Sequence, residues 1–269
     1  MIIIGEKING AIPAVGLAIA ERDDTVIRER VRRQVTAGAD YLDCAASTEP
    51  DLEYDAMCWL IDVIQDETET PICIDSPNAE LLARILEDGR IKRPGMVNSV
   101  NEGCNKCELL FPLIAGTGWN VLGLTCDEKG IPSDPALKME IALRIIEKAD
   151  RYGVARDKVH IDPCVMALAT MPSALEDFVA CVRSIHVQAP EIKVAGAISN
   201  ISFDMPARKY INMAGMAYAV QAGLDTVIMD PSSENMMGIL YAAAALSGKD
   251  KGGRKYNRAF RKGLFGSRK

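Results

Sequence analysis

Eight short apolar runs, each about one helix length from the next, constrain the fold more than any other feature of the chain. They are "MIIIGE", "DYLDCA", "PICIDS", "GMVNSV", "NVLGLTC", "KVHIDP", "KVAGAISN" and "DTVIMDP". Runs of this length, rich in aliphatic residues, read as strands covered on both faces. The segments between them carry helical periodicity. "TVIRERVRRQVTAG" places Ile27, Val31 and Val35 at four-residue spacing and stops at Gly38, and "NAELLARILEDG" opens on Asn78 as an N-cap and closes on Gly89. "PALKMEIALRIIEKADRYG", "SALEDFVACVRSIHVQ", "ARKYINMAGMAYAVQAG" and "SENMMGILYAAAALSG" continue the pattern. Eight strands alternating with eight helices predict a parallel sheet with right-handed crossovers, and eight units in roughly 250 residues predict a single-domain (β/α)8 TIM barrel. A doubly wound open sheet is the rival, but it favours a glycine-rich phosphate loop after the first strand, and "GEKING" lacks that spacing. A faint internal echo, "AGADYLD" and "AGLDTVIMD", suits repeated units.

A chain of 269 residues, 48% of them hydrophobic, can fill one such barrel. No run of about 20 apolar residues is present, and "MIIIGEKING" lacks the features of a signal peptide, so the expectation is a soluble, cytoplasmic protein without a membrane role. The eight cysteines sit mostly within strand or helix patterns and read as buried thiols. Cys104 and Cys107 in "CNKC" have ligand spacing, but a structural zinc needs a second pair. From Lys249 onward nine Lys/Arg face one Asp, whereas the preceding residues carry 22 basic and 36 acidic side chains. This divides the chain into a barrel, 1–248, and a basic C-terminal tail, 249–269. Such a tail can be a solvated end or a surface for an acidic partner.

In a barrel the C-terminal strand ends converge on one face, where chemistry is built. Here those ends read Glu6, Asp43, Asp75, Asn98, Thr125, Asp162, Asn200 and Asp230. Any one of them suits a turn or a helix cap; together they form a ring of carboxylates and amides with few cations beside it, Lys7 and Arg208 being the nearest. A resident metal is disfavoured, because the acids are scattered and the only histidines, His160 in a strand and His186 in a helix, read as structural. Anion recognition wants Arg, Lys or clustered glycines at the centre, and Schiff-base chemistry wants a lysine on an interior strand. What remains is a flat heteroaromatic with several donors on one edge, such as an aminopyrimidinone, whose paired N–H groups match a carboxylate.

"IIIGEKING", "YLDCA", "PICIDS", "MVNSVN", "LGLTCDEKGIP", "HIDP" and "GAISNIS...R" resemble, in order and spacing, the methyltetrahydrofolate:corrinoid protein methyltransferases. These pterin-binding barrels are related to the folate domain of cobalamin-dependent methionine synthase. The resemblance implies that Asp75, Asn98 and Asp162 hold the pterin, with Glu6 and Asp43 behind them and Ser199, Phe203 and Arg208 on the loop that closes over it. Asn200 would reach N5, the atom that carries the methyl group, and with Asp75 it forms the expected catalytic pair. The implied substrate is tetrahydrofolate or 5-methyltetrahydrofolate. No Asp-x-His-x-x-Gly signature is present, so the corrinoid is expected on a separate protein capping the mouth, with the acidic crown and the basic tail as its docking surfaces. Relatives imply a homodimer, and no nucleic acid is expected.

Two positions depart from the family pattern: Ala45 stands where an asparagine is expected, and Phe203 where a glutamine is expected. Dihydropteroate synthase, the nearest rival enzyme, needs a lysine after the strand-seven serine and a basic residue on strand eight, where this chain reads "SNIS" and "MDPS". A non-catalytic pterin-binding subunit and a metal-dependent barrel lyase are the remaining alternatives.

Overall fold

The structure, a computed structural model, describes residues 1–266. Eight parallel strands close into a barrel in chain order: β1 (Ile2–Gly5), β2 (Tyr41–Cys44), β3 (Ile72–Asp75), β4 (Met96–Val100), β5 (Asn120–Leu124), β6 (Val159–Asp162), β7 (Lys193–Gly196) and β8 (Thr226–Met229). Pairing of β1 with β8 completes the ring. Helices cover the outside: α1 (Pro13–Glu21) and α2 (Asp24–Thr36) after β1, α3 (Pro50–Glu67) after β2, and α4 (Ala79–Glu87) after β3. Then follow α5 (Lys106–Ile114), α6 (Pro135–Tyr152), α7 (Ala174–Gln188), α8 (Arg208–Ala222), α9 (Glu234–Leu246) and α10 (Arg254–Arg261).

Two helices thus exceed the strict alternation expected. α1 lies between β1 and α2. It begins at Pro13, which supplies the fixed φ that suits a first helical position. α10 lies within the basic segment from Lys249 onward. It packs on α9, with Ala259 and Phe265 buried and the Phe265 ring 5.0 Å from Tyr256 and 5.9 Å from Tyr241. Lys249 Nζ donates to the carbonyls of Gly223 and Leu224 at 2.6 and 2.8 Å, where α8 leads into β8. This segment therefore covers the N-terminal end of the barrel, opposite the crown. Residues 267–269 of the expected tail lie outside the described residues.

The apolar core splits in two. The larger cluster lies between the strands and the helices, and a small one, Ile4, Cys73, Met96, Leu122 and Ala195, fills the barrel itself. Ile4, Cys73, Leu122 and Ala195 come from the four odd strands, the layering that a closed eight-stranded barrel imposes on inward-facing side chains. Beneath this layer lies a polar one. His160 Nδ1 is 2.8 Å from Thr226 Oγ1, His160 Nε2 is 3.4 Å from Asn120 Oδ1, and Asn120 Nδ2 donates to the Tyr41 hydroxyl at 3.1 Å. The Asn120 carbonyl oxygen can only accept, so Nε2 donates to it and Nδ1 accepts from Thr226. Burial pushes the His160 imidazole down to about 3, so it is neutral. Both ends of the ring are occupied within the floor of the barrel, which gives His160 a structural place.

"GEKING" also finds a physical reason. A Cβ at Gly10 would fall on the Ala46 carbonyl, and Gly10 donates its N–H to Ala45 at 2.9 Å. The glycine permits close approach of the loops after β1 and β2, rather than a phosphate turn. Ala45, one of the two departures, is buried in this seam and bridges to Asn9.

Candidate active site at the barrel mouth

Side chains two residues apart on a strand share a face, so the interior positions continue upward from the apolar layer to Asp43, Asn98 and Asp162, and then to Glu6 and Asp75. The register holds three of these together: Asp43 lies opposite Cys73, and Asp75 opposite Asn98. Asp43 is 3% exposed, Asp162 5% and Asn98 9%. The Asn98–Ser99 peptide is cis.

Burial pushes the Asp43 carboxyl well above the usual carboxylate range, and the adjacent Asp75 charge adds to it. Burial also raises Asp75, to about 6, although its contact with Asp43 acts in the opposite sense. The two carboxyls thus lie in contact within the crown, both held above the ordinary carboxylate range by burial. Across the mouth, burial raises Asp162 to about 6, opposed by the Cys164 N–H, which donates to its Oδ1 at 2.7 Å, and by the Lys138 charge. Glu6 is raised by burial and held back by Lys7, whose Nζ is 3.7 Å from Glu6 and 3.6 Å from Asp230.

Two buried oxygens in this crown have no hydrogen-bond partner among the described residues: Asp43 Oδ1 and Thr125 Oγ1. A buried polar atom left unpaired costs about 1–3 kcal/mol, which a ligand with N–H donors recovers. Among the described residues no group of His, Cys, Asp or Glu could hold a metal ion. Cys104 is exposed, Cys107 is buried, and all eight thiols are free.

The strand expected over "KVAGAISN" ends at Gly196. Asn200 lies four residues beyond it, inside a 3-10 turn over Ile198–Ser202; its N–H donates to the Ala197 carbonyl at 3.1 Å, and its own carbonyl accepts from Phe203 at 3.2 Å. The backbone of Asn200 thus builds a turn, as a strand-end asparagine often does, while among the described residues no hydrogen bond engages its carboxamide. Arg208 fastens this turn to the start of α8. Its Nε donates to Ser202 Oγ at 2.8 Å, its second nitrogen to the Ser199 carbonyl at 2.9 Å, and its guanidinium lies 4.8 Å from the centre of the Phe203 ring. Arg208 is therefore spent on the loop that carries Asn200, and Phe203 is its stacking partner. Asp230 accepts from both the N–H and the hydroxyl of Ser232, at 2.9 and 2.6 Å, which makes it a turn residue as well as a rim carboxylate.

The sequence reading missed one cation. Lys138 on α6 is 1% exposed and donates from Nζ to the Cys164 carbonyl at 2.8 Å, below the loop that follows Asp162. The signal was present: Lys138 falls on the same helical stripe as the buried Ile141, Ala142 and Ile145.

This crown of carboxyls and amides suits a planar ring with N–H groups on one edge. Residues 17–230 match the sequence profile of the pterin-binding enzymes. The chain belongs to the pterin-binding enzyme family. A methylcorrinoid:tetrahydrofolate methyltransferase of Eubacterium limosum is 43% identical over 268 residues, covering 99% of this chain and 98% of that protein. Methionine synthase of Mycobacterium tuberculosis is 30% identical over 176 residues, which span 60% of this chain but 14% of that enzyme. Among solved structures, 7,8-dihydropteroate synthase from Vibrio fischeri superposes with a TM-score of 0.68 at 14% identity, covering 93% of this chain and 94% of that one. Dihydropteroate synthase from Xanthomonas albilineans, in complex with 7,8-dihydropteroate, gives 0.64 at 16%, covering 91% and 92%. At that identity the two synthases speak for the shared barrel alone.

Proposed function

We propose that this pterin-binding barrel is a methyltransferase that moves a methyl group between N5 of tetrahydrofolate and the cobalt of a corrinoid carried by a separate protein. The observation that carries the proposal is the similarity to a methylcorrinoid:tetrahydrofolate methyltransferase along practically the whole of both chains. The corrinoid supplies a cobalt centre that accepts or donates the methyl group. Everything else falls to this chain. Asp162 and Asp75, as anions, accept the N–H groups along the pterin edge, and Asn98, able to donate and accept, binds beside Asp75. Asp43, buried against Asp75, keeps it in place. Glu6, tied to Lys7, lines the rim.

Asn200 presents an uncommitted carboxamide from a rigid turn. A donor placed at N5 stabilises the charge change there as the methyl leaves or arrives, and such preorganised donors contribute about 2–4 kcal/mol. Ser199, Arg208 and Phe203 fix the turn rather than the pterin. Mixing the protein with tetrahydrofolate and a methylated corrinoid protein tests the proposal: methyl-Co(III) absorption should convert to Co(I) with formation of 5-methyltetrahydrofolate. Unchanged spectra at stoichiometric protein would overturn it.

The same reading includes assembly and place. Two copies pair across the α7–α8 face, where Leu168, Leu175, Val179, Ile201 and Ile211 line an apolar groove and Tyr218 is 63% exposed. A monomer by sedimentation at micromolar concentration would sink this. Eight free thiols suit the reducing cytoplasm.

A further inference from the structure

Lys138 sits where two physical terms oppose it. A fully buried ammonium loses its hydration, and the fourth position of α6, after the Asp134 cap and Pro135, lies at the end of a helix that repels cations. An apolar residue would continue the stripe of Ile141 and Ile145 without either penalty. Something that needs a positive charge must therefore offset both.

The surroundings identify it. Nζ donates to the Cys164 carbonyl at 2.8 Å, and the Cys164 N–H donates to Asp162 Oδ1 at 2.7 Å. Cys164 has a left-handed backbone, with φ of 53°, which a residue bearing a Cβ adopts only under constraint. Its peptide groups are thus gripped from both sides, by the Asp162 carboxylate and by the Lys138 ammonium. Of the other titratable groups packed here, the thiols of Cys126 and Cys164 face Asp162, and that of Cys181 faces Lys138; burial pushes all three up, so none carries charge. Asp134 and Asp177 lie farther out, beside Cys181. Asp162 is the one buried carboxylate in the mouth on this side.

We infer that Lys138 is a positioning residue for the pterin site: through the Cys164 backbone it fixes the loop after β6, and by its charge it keeps Asp162 an anion when pterin N–H groups arrive. The inference rests on the reading of Asp162 as a pterin acceptor. Lys138 does not touch substrate and takes no part in the transfer itself.

Folate affinity measured against pH separates this role from simple packing. In Lys138→Met the midpoint of the affinity profile should move upward by about one pH unit, with about a threefold loss at pH 6.5 that is recovered near pH 8.5. Lys138→Arg should keep the native midpoint. Lys138→Gln retains a donor for the Cys164 carbonyl but no charge, so it should move the midpoint as Met does, and it serves where the Met variant does not fold. A uniform loss at every pH in the neutral variants would overturn the inference. Titration of the Asp162 carboxyl carbon in the native protein gives a second, independent reading: a midpoint near 6 supports it, and one above 8 overturns it. Asp162→Asn distinguishes the underlying reading, since undiminished folate binding in that variant refutes Asp162 as an acceptor whatever Lys138 does.

Discussion

At the residue scale the barrel interior assigns different work to side chains of similar polarity. His160 is held at both nitrogens in the floor, so His160→Leu leaves the Thr226 hydroxyl and the Asn120 side-chain carbonyl without their partner. A loss of about 2–4 kcal/mol in urea unfolding is expected, with the folate-binding mouth unchanged in the molecules that remain folded. Asn200 behaves in the opposite way. Its carboxamide holds nothing in the fold, so Asn200→Ala should lower turnover about 100-fold or more while folate affinity changes less than threefold. Equal modest losses in both quantities would instead fit a pterin binder without catalysis. Lys138 shows why some site residues were hidden in the sequence: a lone lysine in a helix usually reads as a solvated position, and only its place on the apolar stripe argued otherwise.

At the element scale the eight apolar runs were legible because parallel strands buried on both faces have little freedom in composition. The ends of elements were less so. "KVAGAISN" continues apolar past Gly196, yet Ala197 and Ile198 leave the ladder for a 3-10 turn, because hydrophobic content alone does not distinguish a strand end from a buried turn. The basic segment was read by its charge, while its second signal, Tyr256, Phe260 and Phe265 around an amphipathic helix, marked a packed element. Deleting residues 249–269 should lower the melting temperature by uncovering Tyr241, and should leave turnover with the corrinoid protein within about twofold, since residues 249–266 lie opposite the mouth. The Asn200 turn makes a sharper test. Arg208→Met removes both hydrogen bonds and the ring contact that hold it. Amide exchange across 198–203 should quicken and kcat should fall, with unfolding free energy altered by no more than about 1 kcal/mol, because Arg208 is exposed.

At the scale of the whole molecule, the buried carboxylates of the mouth couple folding and binding to pH in opposite senses. Asp75 and Asp162 ionise near pH 6, above the ordinary carboxylate value near 4. Their folded forms hold protons more tightly than the unfolded chain, so this contribution to stability is complete below about pH 4 and is lost as pH rises through 6. His160, near 3 against an ordinary 6.5, does the reverse: its contribution is present above pH 6.5 and is lost as pH falls toward 3. On the proposed function, ligand binding needs Asp75 and Asp162 as anions. The rise in melting temperature produced by a fixed concentration of tetrahydrofolate should therefore be largest above pH 7 and shrink steeply below 6, as scanning calorimetry at pH 5 to 8 would show.

The polar floor of Tyr41, Asn120, His160 and Thr226 has a kinetic consequence. With that layer and the apolar one above it filled, traffic through the barrel has a single gate. On the proposed function, a corrinoid protein seated over the mouth would close that gate, so folate would have to enter before it and leave after it. Turnover should then follow a compulsory order, and a large excess of corrinoid protein should slow the enzyme by blocking the gate, an inhibition that rising tetrahydrofolate relieves.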